Sequence, residues 1–273
     1  MSEAWFTWHL APDGDPEDGC DPQEAAALKD YIHSTTITPE TTARAITLAV
    51  TNEPKTVRKG QSSDNLYRLW SLSIDALTDL PEHRPKIIRL VQAIQTLPAS
   101  YRKEGEAQEK QLRWADLPNF GSLWSDSKVS NNWRSNVRKW APEQREGIRQ
   151  DYIKQASIDA QLVVAAVSGI SISWGLGCIC DALERSDAVP DFEVPAAKEW
   201  LENTSDRIFE ESDREMTGYL RERDLWRQEE GGRKQRWDFW KGRLQSMAES
   251  EELGLETRQA AKKAVEAMKA VAK

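Results

Sequence analysis

An uncharged stretch of 19 residues, from Leu162 to Cys180, constrains the fold more than any other feature of the sequence. A helix of about 20 apolar residues is long enough to cross the hydrocarbon core of a membrane. No second apolar stretch and no strongly basic flank accompanies it. The stretch is also diluted by six small residues, which are Ser168, Gly169, Ser171, Ser173, Gly175 and Gly177. We therefore predict a buried central helix over about 158–183, and a single membrane span over about 162–180 stays as the alternative.

The small residues of this stretch have a second consequence for the helix that contains them. They leave room beside it, and either a neighbouring helix or a ligand can fill that room. Gly175 and Gly177 are predicted to kink or end the helix, because glycine weakens helical structure.

The rest of the chain has a composition typical of helices. Ala, Leu, Glu, Arg, Lys and Gln recur in long stretches, and runs of Val, Ile, Thr and aromatic residues with a period of two are missing. The predicted fold class is all-α, a single-domain helical bundle over residues 22–273 packed around the central apolar helix. Residues 1–21 are predicted to form an acidic N-terminal segment, and residues 99–111 a polar surface loop.

The balance of charges argues against nucleic acid as a partner. The chain of 273 residues carries a formal net charge of −8, whereas proteins that bind duplexes usually present a basic surface. The N-terminus has neither a basic start nor an apolar core, so no signal peptide is predicted. The 3 cysteines are an odd number, which fits reduced thiols. We expect a cytoplasmic protein.

No motif for a metal or a cofactor stands out in the sequence. The 3 histidines are scattered, and Cys178-x-Cys180 has no second cysteine pair, whereas a zinc site needs about four convergent ligands. Gly175-x-Gly177 lacks the third glycine of a dinucleotide-binding fingerprint, and no phosphate-binding loop occurs. We therefore expect neither a metal nor a cofactor.

Four motifs, three of which contain tryptophan, stand in order along the chain, with the apolar stretch after the first. They are Trp114-x-Asp116-Leu117-Pro118, Ala196-Ala197-x-x-Trp200, Arg236-Trp237-x-Phe239-Trp240-Lys241 and Thr257-Arg258-x-Ala260. In these motifs the chain, from about residue 62 to the C-terminus, resembles an uncharacterised family of all-helical fungal proteins of unknown function. The resemblance implies a fungal, single-domain, all-helical protein, of a kind often encoded near secondary-metabolite genes. It supplies no catalytic residues.

Tryptophan is unusually frequent, with 12 Trp against 5 Phe and 5 Tyr. One interpretation is that these residues are helix-packing anchors. Together with the small residues and the family setting, they support the hypothesis of a helical pocket that binds an apolar small molecule. Such a pocket can act as a cofactor-independent cyclase, of the pericyclic or Diels–Alder type, or as an isomerase, because holding a flexible substrate in a reactive shape lowers the barrier. The alternative is a non-catalytic scaffold whose exposed Trp side chains anchor a protein partner.

The candidate site residues come from the central stretch and its predicted neighbours. Asp75 and Asp159 are the candidate catalytic residues, because desolvation by neighbouring apolar residues would raise the pKa of each carboxyl group. The opposing interpretation is a solvent-facing carboxylate or one paired with arginine. Cys178 and Cys180 are interpreted as buried, unreactive thiols. The candidate substrate-binding residues are Tyr67, Trp70, Trp114, Trp124, Ser168, Ser171, Trp174 and Trp200.

Overall fold

A computed structural model gives the structure of the chain. It describes residues 2–15, 19–51, 64–104, 108–128, 133–213, 224–226 and 232–271. Within these ranges the secondary structure is almost entirely helical, with thirteen α-helices and one two-stranded hairpin. The predicted all-α fold class is therefore confirmed. In the same ranges, none of the helices combines the length and the apolarity that a membrane crossing requires.

The contacts within the chain divide it into two compact units. Unit 1 comprises Met1–Ser127 and Ala165–Gly169, and unit 2 comprises Lys128–Val164 and Ile170–Lys273. The chain therefore leaves unit 2, contributes residues 165–169 to unit 1, and then returns to unit 2. The single domain over 22–273, with a separate segment over 1–21, stays a prediction.

Unit 1 is built from short helices and the hairpin. Its α-helices are α1 (Ser2–Leu10), α2 (Pro22–His33), α3 (Pro39–Ile46), α4 (Leu48–Thr51), α5 (Asp64–Asp79), α6 (Arg84–Gln95) and α7 (Phe120–Asp126), with short 3-10 turns at Pro12–Gly14 and Trp114–Asp116. Two helix starts follow directly from the sequence. Asp21 caps α2 by accepting a hydrogen bond from the backbone N–H of Gln23 at 2.8 Å. Thr38 caps α3 by accepting one from Thr41 at 3.2 Å, and in both helices proline fills the first position.

The segment over residues 99–111 differs from the predicted surface loop. Strand β1 (Ser100–Glu104) pairs antiparallel with strand β2 (Gln108–Leu112). The two strands have no alternation of apolar and polar residues, so their sequence does not indicate a half-buried strand. The two strands are held together by hydrogen bonds between backbone N–H and C=O groups. The pattern of side chains does not report such backbone pairing.

Buried aromatic residues form the centre of unit 1. Trp70, Trp114, Phe120 and Trp124 are at most 1% exposed. The Trp70 ring meets the Phe120 ring edge to face with centroids 5.3 Å apart, and the Trp114 ring at 6.3 Å. The Trp70 indole N–H donates to the carbonyl oxygen of Pro118 at 2.7 Å, so the polar atom of this buried ring is satisfied.

Unit 2 consists of one short helix and five longer ones, arranged around one of the longer helices. They are α8 (Trp133–Asn136), α9 (Pro142–Val164), α10 (Ile172–Leu183), α11 (Pro190–Glu211), α12 (Arg233–Glu249) and α13 (Leu255–Val271). Helix α11 contacts α9, α10, α12 and α13. The apolar core of the unit includes Leu176, Ile179, Trp200 and Trp240, all at most 1% exposed. The central helix of unit 2 is thus α11 and not the uncharged stretch.

The predicted continuous helix over residues 158–183 is interrupted. Helix α9 ends at Val164, and α10 begins at Ile172. Two residues of the connection have positive φ angles, 53° at Ala166 and 82° at Gly169. The chain cannot continue a right-handed helix through the left-handed region, which explains the break.

The two glycines that were predicted to break the helix lie inside α10. Ser171 begins this helix as its N-cap, accepting a hydrogen bond from the backbone N–H of Ser173 at 3.2 Å. A Cβ atom built on Gly175 would lie 2.3 Å from the Cε3 atom of Trp200, so a neighbouring helix fills the room at that position. A Cβ atom built on Gly177 would meet no atom within 4 Å.

Candidate functional site

Six of the ten candidate site residues lie in unit 1. Trp70, Trp114 and Trp124 belong to its buried core, and the first two rings are in contact. Tyr67 lies one helical turn before Trp70 on α5 but is 55% exposed, so it stands outside the buried core. The Ser168 hydroxyl donates at 2.7 Å to a backbone carbonyl 53 residues earlier in the chain.

Asp75, the sixth residue of this group, is partly exposed on α5. Its Oδ2 atom lies 3.7 Å from the Nδ1 atom of His9. Burial and the charge of Asp79 raise the pKa of Asp75 to about 6. Burial lowers the pKa of His9, against the opposing charge of Asp79. Both shifts disfavour the charged form, so a fully ionised His9–Asp75 pair is disfavoured as well.

The other four candidate residues lie in unit 2. Trp200 is part of the buried core, and Ser171 is the N-cap of α10. Asp159 on α9 and Trp174 on α10 are both in contact with Lys128. The Lys128 Nζ atom lies 2.7 Å from Oδ2 of Asp159 and 3.6 Å from the centroid of the Trp174 ring. The structure thus joins one candidate acid to one candidate tryptophan through a lysine.

Further titratable side chains surround this contact. We call the set the α10 cluster, and its members are Lys128, Arg134, Tyr152, Asp159, Trp174, Cys178, Asp181 and Glu193. On α10, Trp174, Cys178 and Asp181 are spaced i, i+4 and i+7, so they share one face. On α9, Tyr152 and Asp159 are spaced i and i+7 and share another. The remaining members come from α8, from α11 and from Lys128, which follows α7 in the chain.

Arg134 binds two carboxylates of the cluster. Its Nη2 atom lies 3.0 Å from Oδ2 of Asp181, and its Nε atom lies 2.8 Å from Oε1 of Glu193, which Nη2 also contacts. The Oε2 atom of Glu193 accepts the backbone N–H of Val189 at 2.5 Å. Burial raises the pKa of Glu193 to about 7, against the opposing charge of Arg134 and the hydrogen bond from Val189. A carboxyl group with such a pKa exchanges its proton near neutral pH.

Tyr152 and Cys178 are the neutral members of the cluster. Burial raises the pKa of the Cys178 thiol, and the negative charges of Asp181 and Glu193 act in the same direction. Burial also holds the pKa of Tyr152 well above its usual value. Both groups therefore keep their protons at neutral pH. The Tyr152 hydroxyl is thus a hydrogen-bond donor, and Cys178 is not a thiolate nucleophile.

Lys128 is one of the partly exposed members of the cluster. Its side chain is 23% exposed, whereas that of its partner Asp159 is 7% exposed. Burial lowers the pKa of Lys128, against the opposing charge and hydrogen bond of Asp159. The cluster thus combines an aromatic wall, a reachable amine, a phenol and carboxyl groups. Such a set suits an organic molecule with one polar group on an apolar body.

A cavity of about 380 Å³ opens elsewhere on unit 2, as a surface groove between α11 and α13. Its lining residues are Glu202, Lys262, Lys263, Glu266 and Ala267. None of these is a candidate site residue or a member of the α10 cluster. Within the described ranges, no three His, Cys, Asp or Glu side chains converge in a way that would hold a metal ion.

Sequence reasoning selected Asp159 and Trp174 but missed the side chains around them. The spacing of Trp174, Cys178 and Asp181 on one helical face is visible in the sequence and would have indicated part of the cluster. Arg134 and Glu193 are 59 residues apart, and no local pattern reports that contact. Lys128 carries no signal of its own, because its partners lie on helices that follow it.

The fold and the cluster define a class of protein: an all-helical chain whose second unit holds converging titratable side chains beside a tryptophan. The chain belongs to the family described as "Protein of unknown function (DUF3632)", whose model matches residues 70–244. The matched range contains every member of the α10 cluster. No curated protein and no solved structure matches the chain.

Proposed function

We propose that the protein binds an apolar small molecule at the α10 cluster and catalyses its cyclisation or isomerisation without a cofactor. The observation that carries the proposal is the partly exposed Trp174 ring with the Lys128 ammonium 3.6 Å from its centroid. An apolar body would lie along the ring, and a polar group on it would meet Lys128 and Tyr152. Small-molecule sites usually combine such an apolar wall with a few convergent polar groups.

The titration of the cluster supports acid–base chemistry there. An isomerisation removes a proton from one atom and returns it to another, and this works best with groups whose pKa lies near the working pH. Burial brings the pKa of Glu193 to about 7. Arg134 contacts both this buried carboxyl group and the partly exposed Asp181. The neutral Tyr152 is a donor that could polarise a carbonyl or hydroxyl group of the substrate.

The biological setting we propose is fungal secondary metabolism in the cytoplasm. This rests on the resemblance of the tryptophan motifs and not on the geometry of the cluster. The net charge of −8 supports a small molecule over nucleic acid as the partner.

The binding step is tested by calorimetry with 2-naphthol and 2-acetylnaphthalene, each an apolar ring system with one oxygen. Replacing Trp174 by Ala removes the aromatic wall, and we expect the Kd to rise at least about tenfold, or about 1.4 kcal/mol. The control is Trp8→Ala, since Trp8 is 55% exposed in unit 1 and lies outside the cluster. Absence of binding to the wild type, or equal losses in both variants, would contradict the proposal.

The catalytic step is tested by deleting the gene in its host and profiling metabolites. We expect an uncyclised or unrearranged precursor to accumulate and the wild-type gene to remove it. Complementation with Tyr152→Phe removes only the hydroxyl group that donates the hydrogen bond. We expect turnover of the precursor to be about a hundredfold lower than with the wild-type gene. An unchanged metabolite profile after deletion argues against catalysis and leaves binding as the function.

Exposed aromatic residues of unit 1 favour the second candidate, a non-catalytic interaction protein. Trp8 and Tyr67 are large aromatic side chains that lie largely in solvent. Exposed aromatic residues are typical anchors of protein interfaces. This candidate predicts a stoichiometric partner that co-purifies from the host with the wild type and is lost when both residues are replaced by Ala. A partner retained by the double variant contradicts it.

A further inference from the structure

We propose that Lys128 forms an imine with an aldehyde or a ketone, which makes carbonyl compounds the ligand class of the α10 cluster. The inference rests on the proposed function and deepens it, because it names both the substrate class and the bond that holds the substrate. It assigns a chemical role to a residue that the sequence alone did not single out.

Two neighbouring side chains fix the position of the Lys128 amine. Lys128 Nζ lies 2.7 Å from a carboxylate oxygen of Asp159 and 3.6 Å from the centroid of the Trp174 ring. Asp159 is buried on α9, whereas the lysine side chain keeps an exposed flank. The amine is therefore held in place on two sides, and the side chain that carries it is partly exposed to an incoming molecule.

Lys128 also gives up its proton more readily than an ordinary lysine. Only the neutral amine attacks a carbonyl carbon, and an ordinary lysine is almost fully protonated at neutral pH. Burial lowers the pKa of Lys128, and the charge of Asp159 only partly opposes the effect. Lysines that form imines are typically desolvated in this way.

The proton that Lys128 gives up passes to the neighbouring carboxylate. Asp159 accepts it from the ammonium group, and the neutral nitrogen then bonds to the carbonyl carbon while a proton passes from nitrogen to oxygen, giving a carbinolamine. Asp159 returns its proton to the hydroxyl group, which leaves as water as the C=N bond forms. The product is a protonated imine beside a carboxylate. The charge pair is the same before and after the reaction, so the buried Asp159 is never left without a counter-charge.

The protonated imine also fits the chemistry proposed for the cluster. It withdraws electrons from adjacent bonds, which activates a bound molecule for cyclisation or for movement of a double bond. The Trp174 ring stabilises the cation through the same cation–π contact that it makes with the ammonium group.

The test uses the full-length protein with 3-phenylpropanal and sodium cyanoborohydride, which reduces an imine to a stable amine. Peptide mapping by mass spectrometry then measures the labelling rate at each lysine. The matched control is Lys154 on α9, which pairs with Asp151 at 2.9 Å on a more exposed face. We expect Lys128 to be labelled at least about tenfold faster than Lys154 at pH 7, because burial increases the fraction of neutral amine at Lys128. Equal rates would overturn the inference.

A second variant separates a proton-transfer role of Asp159 from a purely structural one. Asp159→Asn keeps the shape of the side chain but removes both the proton acceptor and the counter-charge of the imine. If Asp159 acts as inferred, labelling of Lys128 falls although the melting curve shows a folded protein. Faster labelling, as expected when the loss of a carboxylate merely frees the amine, would overturn the inference.

A binding measurement without reductant separates this inference from the proposed function. The probe is 3-phenylpropan-1-ol, which has the same apolar body but cannot form an imine. If the alcohol binds the wild type and Lys128 is labelled no faster than Lys154, the imine is wrong and the binding function stands. If neither the alcohol nor the aldehyde binds, both proposals fail.

Discussion

Helix α10 carries two polar networks, and they differ in how far their side chains are exposed to solvent. In the first, Glu184 follows the last turn of the helix and is 1% exposed. Its Oε1 atom accepts hydrogen bonds from Arg236 Nε at 2.6 Å and from Trp240 Nε1 at 2.7 Å, and its Oε2 atom accepts one from Arg236 Nη2 at 2.9 Å. Arg236 also donates to the carbonyl oxygen of Ser212 and to the sulfur of Cys180.

The second network is the α10 cluster, and it is only partly closed. Lys128, Arg134 and Asp181 have side chains between 22% and 26% exposed, while Glu193 is fully buried beside them. A buried carboxylate that meets a guanidinium and an indole is a structural element, because its partners leave it no room for another ligand. A cluster with one solvated edge keeps groups that a ligand can reach. The comparison therefore separates a network that holds three helices together from one suited to chemistry.

Replacing the buried arginine of the first network should change the free energy of unfolding more than any other variant proposed here. Arg236→Met leaves Glu184 buried without its cation, and we expect a loss of about 3–5 kcal/mol in the free energy of unfolding. Urea denaturation measures it. The control is Arg233→Met on the same helix, whose ion pair with Asp213 at 2.9 Å is exposed and should contribute less than about 1 kcal/mol. Similar losses in both variants would show that the Glu184 network does not stabilise unit 2 in the way described.

A carboxyl group with no partner extends the comparison to a third case. Glu24 on α2 in unit 1 is 1% exposed, and neither of its oxygens has a hydrogen-bond partner among the described residues. Burial and the charge of Asp21 raise its pKa to about 8, against the charge of Arg68. The folded state therefore holds a proton that the unfolded state releases above about pH 4.5. Stability due to this group is complete below that pH and is lost as the pH rises towards 8.

The expected loss is about 1.4 kcal/mol for each pH unit in that window, because one proton separates the two states. Glu24→Gln cannot ionise, so the difference between wild type and variant in the free energy of unfolding should change steadily from pH 5 to pH 8. Glu40→Gln is the control, since Glu40 is exposed on α3. A constant difference for Glu24→Gln across this range would mean that the carboxyl group is ionised or solvated in the fold.

Two glycines on α10 differ in the space around them, since one faces the Trp200 ring and the other faces no neighbouring atom. A Cβ atom on Gly175 would lie 2.3 Å from the Trp200 ring, so Gly175→Ala should cost about 1–3 kcal/mol through overpacking. Gly177→Ala meets no atom within 4 Å and should stabilise the helix by up to about 1 kcal/mol. Thermal melting of the two variants checks the signs. Stabilisation by both would mean that Trp200 can move away at little cost.

The sequence predicted those parts of the fold that depend on neighbouring residues. Asp21 and Thr38, each followed by proline, begin α2 and α3 in the structure, and both are local patterns of a kind that a sequence displays. The break inside the uncharged stretch was missed because it depends on Ala166 in a left-handed conformation, for which alanine gives no local signal. The hairpin was missed for a similar reason, since it rests on backbone pairing.

The candidate site shows the same division between local and distant information. Asp159 and Trp174 were selected because the apolar stretch lies next to them in the sequence. Lys128 forms an ion pair with Asp159, which lies 31 residues later, and a cation–π contact with the Trp174 ring. Nothing near Lys128 in the sequence indicates either contact. Whether the selected residues of unit 1 line a binding site stays a prediction.

The smallest effect expected concerns the start of α10, where the two networks should respond differently. Ser171→Ala removes the N-cap and should cost about 1 kcal/mol. Fraying then begins near Trp174, while Glu184 lies at the opposite end of the helix. We therefore expect amide hydrogen exchange to rise in the first turn of α10 only. We also expect reductive labelling of Lys128 by 3-phenylpropanal to fall. Ser246→Ala, on an exposed face of α12, should change neither, and equal exchange along all of α10 would contradict the independence of the two networks.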